Sequence, residues 1–252
     1  MNRSTSLNLF CQSIDWQQLP RYLLRTPVGR LWTTSGLIWL WLLTDSLLLQ
    51  DAHQHHLETM TAIQSISTQV KHWVMMLIAM MFPLLALQVN HIVFAMPGFR
   101  RFRSILIYLF GYSLLWLLFL AAVLGLQAIA ASLSIDTSIY PLLGVGCFIL
   151  VTILIWSKNH PVIMASCSAT MSLGIMGWRA DIDCVKYGLK TAKNCIRSCW
   201  LPMLALILTN HAIGLMFLVT LALWYERYFL SHISKQMSII WMLLACLSVV
   251  MI

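Results

Sequence analysis

Between Trp73 and Pro83 the chain reads Trp-Val-Met-Met-Leu-Ile-Ala-Met-Met-Phe-Pro, which sets four thioethers beside a helix-distorting proline. A thioether is a soft, neutral ligand that favours Cu(I) over hard cations, and inside a bilayer it can hold metal without burying a permanent charge. His72, Met76 and Met80 recur every four residues, so a helix places them on one face, with His91 returning near it three turns later and Met81 beside it. Pro83 removes one backbone hydrogen bond and kinks such a helix next to the methionines. Cys195 and Cys199 form a second pair four residues apart, and Met203 continues their stripe by one more turn. Two thiols and a thioether on one face suit a soft metal. Asn210 and His211 lie close to that face, where a polar residue within an apolar block either bonds to another helix or has a function.

Each set has a competing reading. Methionine fills irregular gaps between helices, so the run also reads as packing. Asp51, His53, His55, His56 and Glu58 cluster between two apolar blocks, a composition that binds Cu(II) or Zn(II) and equally suits a solvated loop.

The elements that must position these residues are membrane helices. Of the 252 residues, 60% are hydrophobic and 10% charged, and the mean hydropathy is +0.81. A hydrocarbon core of ~30 Å needs roughly 20 apolar residues per crossing. Blocks of that kind lie near 30 to 50, 73 to 96, 104 to 133, 138 to 157, 199 to 224 and 237 to 252. The expected fold is all-α: a polytopic transmembrane bundle of about six spans, with residues 30–252 forming one domain. The remaining 1–29 form a cytoplasmic segment in which Trp16 to Arg25 suits an interfacial helix and Thr26-Pro27 a turn into the bilayer. Between spans four and five, Ser157 to Arg197 is the one long polar stretch. Its apolar part, Val162 to Trp178, is broken by glycines, and Asp181 to Arg197 is amphipathic, with Val185, Leu189, Ala192 and Ile196 opposite Lys186, Lys190, Lys193 and Arg197.

Positive charge fixes the orientation. With six alternating spans, all sixteen lysines and arginines except Lys71, Arg227 and Lys235 fall on one side, so both termini are expected to be cytoplasmic. The net charge of +8 then reflects this rule and contact with anionic headgroups, and it gives no support for a nucleic-acid partner. The first apolar block reads as an uncleaved anchor. Seven scattered cysteines argue against a disulfide framework, and Cys11, Cys147 and Cys246 read as small buried or interfacial hydrophobes. No nucleophile has a positioned base and no cofactor fingerprint occurs, so catalysis is not expected. Asp45 and Glu226, at outer span ends, are candidates for ion pairs with Arg227 or His232.

Trp73-Val74-Met75-Met76, Ala79-Met80-Met81-Phe82-Pro83, Phe110-Gly111-Tyr112 with Trp116, and Gly188 with Cys195 and Cys199-Trp200 together resemble a bacterial family of predicted metal-binding integral membrane proteins, some labelled copper chaperones. The likeness runs from about Trp39 to Arg227. The chain departs from the family pattern at Ser198, where a cysteine is usual, at Arg197 in place of a glycine, at Thr170 three residues after the matching Cys167, and at Arg227, where a lysine follows the matching Glu226. The resemblance implies a bacterial inner-membrane protein that handles copper ion, with Met76, Met80, Met81, Cys195, Cys199, Met203, His72 and His211 as metal ligands. The alternative is a non-catalytic structural or assembly subunit that packs against partner subunits in the lipid bilayer.

Overall fold

The structure is a computed structural model that describes residues 26–49, 62–133, 139–157, 160–209, 213–229 and 234–250. The expected interfacial helix at Trp16 to Arg25, the acidic and histidine loop, Asn210 and His211 lie outside these residues. Among the described residues the regular elements are all helical: α1 (Pro27–Leu49), α2 (Ala62–Met81), a 3-10 turn (Pro83–Leu85), α3 (Ala86–Ala95), α4 (Arg101–Ser132), α5 (Ile139–Ile155), α6 (His160–Cys167), α7 (Gly177–Leu208), α8 (Ile213–Phe229) and α9 (Ser234–Val250). The all-α class is as expected.

Local chemistry sets the boundaries. The Thr26 hydroxyl accepts the Gly29 amide at 3.0 Å, and Pro27, which has no amide hydrogen to leave unpaired, begins α1. Pro83 converts the end of α2 into the 3-10 turn, and Ser67–Met81 and Pro83–Ala95 meet at a bend of 44°. This is the kink expected beside the methionines. Gly177, at φ +76°, turns the chain into α7 through a backbone region open mainly to glycine.

Among the described residues, α4 alone is by length and composition long and apolar enough to cross a membrane; the bent pair of α2 and α3 is a second candidate, and α5 and α9 are apolar but shorter. Only 17% of the most apolar window of α4 is buried. Phe94, Phe99, Phe110, Leu118 and Ile153 are among many large apolar side chains facing outward.

Contacts fix the helix directions. Trp32 meets Trp224 with ring centres 4.8 Å apart and Trp39 meets Phe217 at 5.2 Å, so α8 runs antiparallel to α1. Arg100 pairs with Asp181, Tyr108 packs on Tyr187 at 5.1 Å and Tyr112 bonds to Cys195, so α4 and α7 run parallel. Phe148 stacks on Trp241 while the Trp156 indole donates to Ser238, which makes α9 antiparallel to α5.

Two expectations change. The block 199 to 224 is not one span: α7 ends at Leu208, where the Thr209 amide and hydroxyl both bond the Ala205 carbonyl, and α8 runs back towards the level of Trp32. The chain therefore reverses direction between Leu208 and Ile213. Arg227 consequently returns to the thiol end instead of lying opposite it. The amphipathic stretch 181 to 197, expected as a segment between spans four and five, is continuous with the helix that follows it. It is the first part of α7, docked along α4 with Cys184, Tyr187, Thr191 and Ala192 buried and Lys186, Lys190, Lys193 and Arg197 exposed.

The α4–α7 contact depends on two glycines. A Cβ on Gly188 would collide with the Tyr108 carbonyl oxygen and lie 2.9 Å from the Tyr112 nitrogen; one on Gly111 would lie 2.8 Å from the Val185 carbonyl oxygen. Both obstacles are backbone, which cannot rotate away. Gly188→Ala is predicted to destabilise the fold by about 1–3 kcal/mol. Gly125→Ala, where a Cβ meets open space, is predicted to leave stability unchanged or slightly raised. Thermal unfolding of the purified variants checks both, and an unshifted midpoint for Gly188→Ala contradicts the close crossing.

Candidate metal centre

The parallel packing of α4 and α7 carries Cys195 to the level of Tyr112, and the break at Pro83 ends α2 at the same level. The Cys195 thiol donates to the Met81 sulfur at 3.9 Å and accepts the Tyr112 hydroxyl at 3.3 Å. Metal–sulfur bonds of ~2.3 Å let two sulfurs sharing one ion stand up to ~4.6 Å apart, so this pair is spaced for a common ion. Cys199, one turn on, contacts Cys195 and lies 3.3 Å from the Ser198 hydroxyl. The thioether and thiol stripes therefore face each other at Met81 and Cys195.

A cavity of about 20 Å³ adjoins the two cysteines, walled by Leu84 and Leu85 of the 3-10 turn, Thr191, Ser198, Leu223 and Arg227. That is room for one small occupant. Arg227 comes within electrostatic reach of Cys195, Cys199 and Cys167. Cys167, the last residue of α6, donates its thiol hydrogen to the Asn194 carbonyl at 3.3 Å and meets the Ser198 hydroxyl at 3.4 Å.

Hydrogen bonds to main chain hold this end together. The Gln88 amide donates to the Cys167 carbonyl at 2.6 Å, His91 bonds the Met171 carbonyl at 2.9 Å and the Asn194 amide donates to the Ser166 carbonyl at 2.8 Å. Glu226 lies 3.0 Å from His160, and His232, one of its two expected partners, is outside the described residues. His91, expected near the methionine face, instead anchors the loop after α6.

Other sequence candidates lie farther off. Met76 and Met80 are fully buried on α2, with the Met80 carbonyl accepting the Trp224 indole at 3.1 Å. His72 is half-buried nine residues before Met81, about 14 Å along the helix axis. Met203, also buried, lies two turns beyond Cys195, about 12 Å along α7. Among the described residues no group of three or more His, Cys, Asp or Glu is arranged to hold a metal. A centre at this place therefore requires the Met81 thioether beside the two thiols. Spacing within single helices missed Tyr112, Ser198, Cys167 and Arg227 as neighbours of the site; family resemblance had singled out these positions without giving them a role.

The profile of the PpoB2 family, described as copper chaperone, matches residues 70–251. That span contains every side chain of the centre. Among curated proteins and solved structures, none matches the chain significantly.

Gln88→Leu removes the donor from the buried Cys167 carbonyl. An unpaired buried acceptor costs about 1–3 kcal/mol, so this variant is predicted to unfold at lower temperature and to expose Cys167 to thiol reagents faster, with Cys195 unaffected. Mass spectrometry of modified peptides checks this; equal labelling of Cys167 in the two proteins contradicts it.

Proposed function

The chain belongs to the copper-chaperone family, and we propose that it is a non-catalytic integral membrane protein that binds Cu(I) through Met81, Cys195 and Cys199 and hands it to a partner. The observation that carries this reading is the meeting of a thioether and a thiol at 3.9 Å, with a second thiol one turn away, beside a cavity of single-ion size. Soft sulfur donors select Cu(I) among biological cations, and the surrounding leucines exclude water. On α2, His72, Met76 and Met80 form an approach to Met81 from the far end of the bundle, with Met203 towards the corresponding end of α7.

The apolar outward face of α4 supports insertion in a bilayer, because a core helix of a soluble protein is mostly buried whereas this one is mostly exposed. In this reading α1, α2, α4, α5, α7, α8 and α9 each traverse the bilayer, the shorter ones with local thinning. Arg100, Arg101, Arg103 and Arg179 collect at the end where α4 and α7 begin, which the positive-inside rule makes cytoplasmic in a bacterial inner membrane. The end of α9 then lies on the outer side, in place of the two cytoplasmic termini expected from six spans.

Even groups that only orient a metal ligand are worth ~10–100-fold in affinity, so Cys195→Ser and Cys199→Ser are each predicted to weaken Cu(I) binding by more than ~100-fold. Met81→Leu, which conserves volume, is predicted to weaken it about tenfold, and Cys246→Ser to leave it unchanged. Competition with a Cu(I) chelator on detergent-purified protein measures this. Equal affinity across the series would refute the assignment. Retention of the chain in membranes washed with carbonate tests the insertion, and its release into the wash contradicts it.

A further inference from the structure

We propose that the open cavity between the first turns of α4 and α7 binds the headgroup phosphate of an anionic phospholipid. The proposal goes beyond the copper reading and rests only on insertion of the chain in a bilayer.

The cavity has a volume of about 430 Å³ and is lined by Phe99, Arg100, Arg103, Gly177, Trp178 and Asp181, which falls in the ~300–1,000 Å³ range of small-ligand sites. Its two arginines are fixed in place. Arg100 Nη2 donates to the Gly177 carbonyl at 3.1 Å and to Asp181 Oδ1 at 2.6 Å, and Arg103 Nη2 donates to Asp181 Oδ2 at 2.6 Å. One carboxylate thus orients two guanidiniums through one nitrogen of each. A guanidinium carries five N–H donors in a planar fork that matches two oxygens of a phosphate, and the Arg103 side chain, with that bond made, is still 68% exposed.

Charge at this end favours an anion. Residues 99–103 and 177–183 carry Arg100, Arg101, Arg103 and Arg179 against Asp181 and Asp183, and Asp183 accepts the Gly174 amide at 3.2 Å. Because α4 and α7 run parallel and both begin here, the positive ends of their dipoles add to the arginines.

The surroundings select a lipid over a free ion. Phe99 and Trp178 wall the cavity and are largely exposed, as are Phe102 and Met176 next to them in the chain. Exposed aromatics beside arginines are the composition of a membrane–water interface, and a basic pocket between helices on the cytoplasmic side meets the leaflet that carries anionic lipid. Arg103, Leu106, Phe110 and Leu114 recur at helical spacing on one outward face of α4, all exposed. That face gives the acyl chains an apolar track leading away from the headgroup.

The test titrates the full-length, detergent-purified chain with dioleoylphosphatidylglycerol and, separately, with dioleoylphosphatidylcholine, whose acyl chains are the same, and reads bound lipid by native mass spectrometry. Phosphatidylglycerol is expected to bind about tenfold tighter or more, and Arg103→Gln to remove that preference. Arg179→Gln, which deletes the same charge outside the cavity, is expected to weaken binding about twofold at most, because salt screens it. Equal binding of the two lipids by the wild-type chain overturns the proposal. So does a loss in Arg179→Gln as large as that in Arg103→Gln, which marks diffuse attraction. Inorganic phosphate that binds as tightly as phosphatidylglycerol assigns the cavity to a free anion and also overturns it. If Arg103→Gln fails to fold, phosphatidylglycerol with a photoactivatable diazirine at the headgroup decides on the wild-type chain: label on the peptides of Phe99 to Arg103 and Gly177 to Asp181 supports the site, and label confined to other peptides overturns it. Release of the chain from carbonate-washed membranes overturns insertion itself, whereas retention without lipid preference overturns only the headgroup site.

Discussion

The close approach of α4 and α7 at Gly111 and Gly188 is the contact on which the rest of this structure depends. Backbone meets backbone there, with a Cβ on either glycine falling within 3 Å of the other helix's main chain. Small residues at a helix crossing let the two backbones approach closely enough for dispersion contacts to accumulate. The crossing fixes the rotation of both helices. Tyr112, one residue after Gly111, then bonds to Cys195, two turns beyond Gly188, and Arg100 and Arg103 share Asp181 at 2.6 Å each.

The remaining parts of the centre are placed by two interruptions in helical order. Pro83 stops α2 so that Met81 presents its sulfur to Cys195 and the next turn supplies two leucine walls. The reversal after Leu208 returns Arg227 and Glu226 to the thiols and to His160. The break at Pro83 leaves backbone carbonyls that neighbouring helices satisfy. The Trp224 indole donates to the Met80 carbonyl and Ser35 to the Ala79 carbonyl, which ties the last turn of α2 to α8 and α1.

Much of this was legible in the residues. The helical class, the Pro83 break, and the two sulfur stripes follow from composition and from spacing at four residues. What spacing could not supply was the relation between stripes. A period of 3.6 tells which residues share a face and says nothing about the facing helix, so Tyr112 and Arg227 gained roles only from packing. The break within 199 to 224 is hidden from hydropathy because an unbroken window averages across the gap between Leu208 and Ile213. Reading the block as one span carried Arg227 to the wrong side. The amphipathy of 181 to 197 is visible in the sequence, whereas the helix it packs against, α4, is not.

The account's central claim is that one soft ion is held by sulfur from α2 and α7, and its most direct test is the X-ray absorption spectrum of the Cu(I)-loaded, detergent-solubilised chain. A first shell made of sulfur alone, with two or three scatterers, is the predicted result. A shell dominated by nitrogen or oxygen would place the ion on histidines elsewhere in the chain and contradict the meeting of Met81 with Cys195 and Cys199 as the binding site.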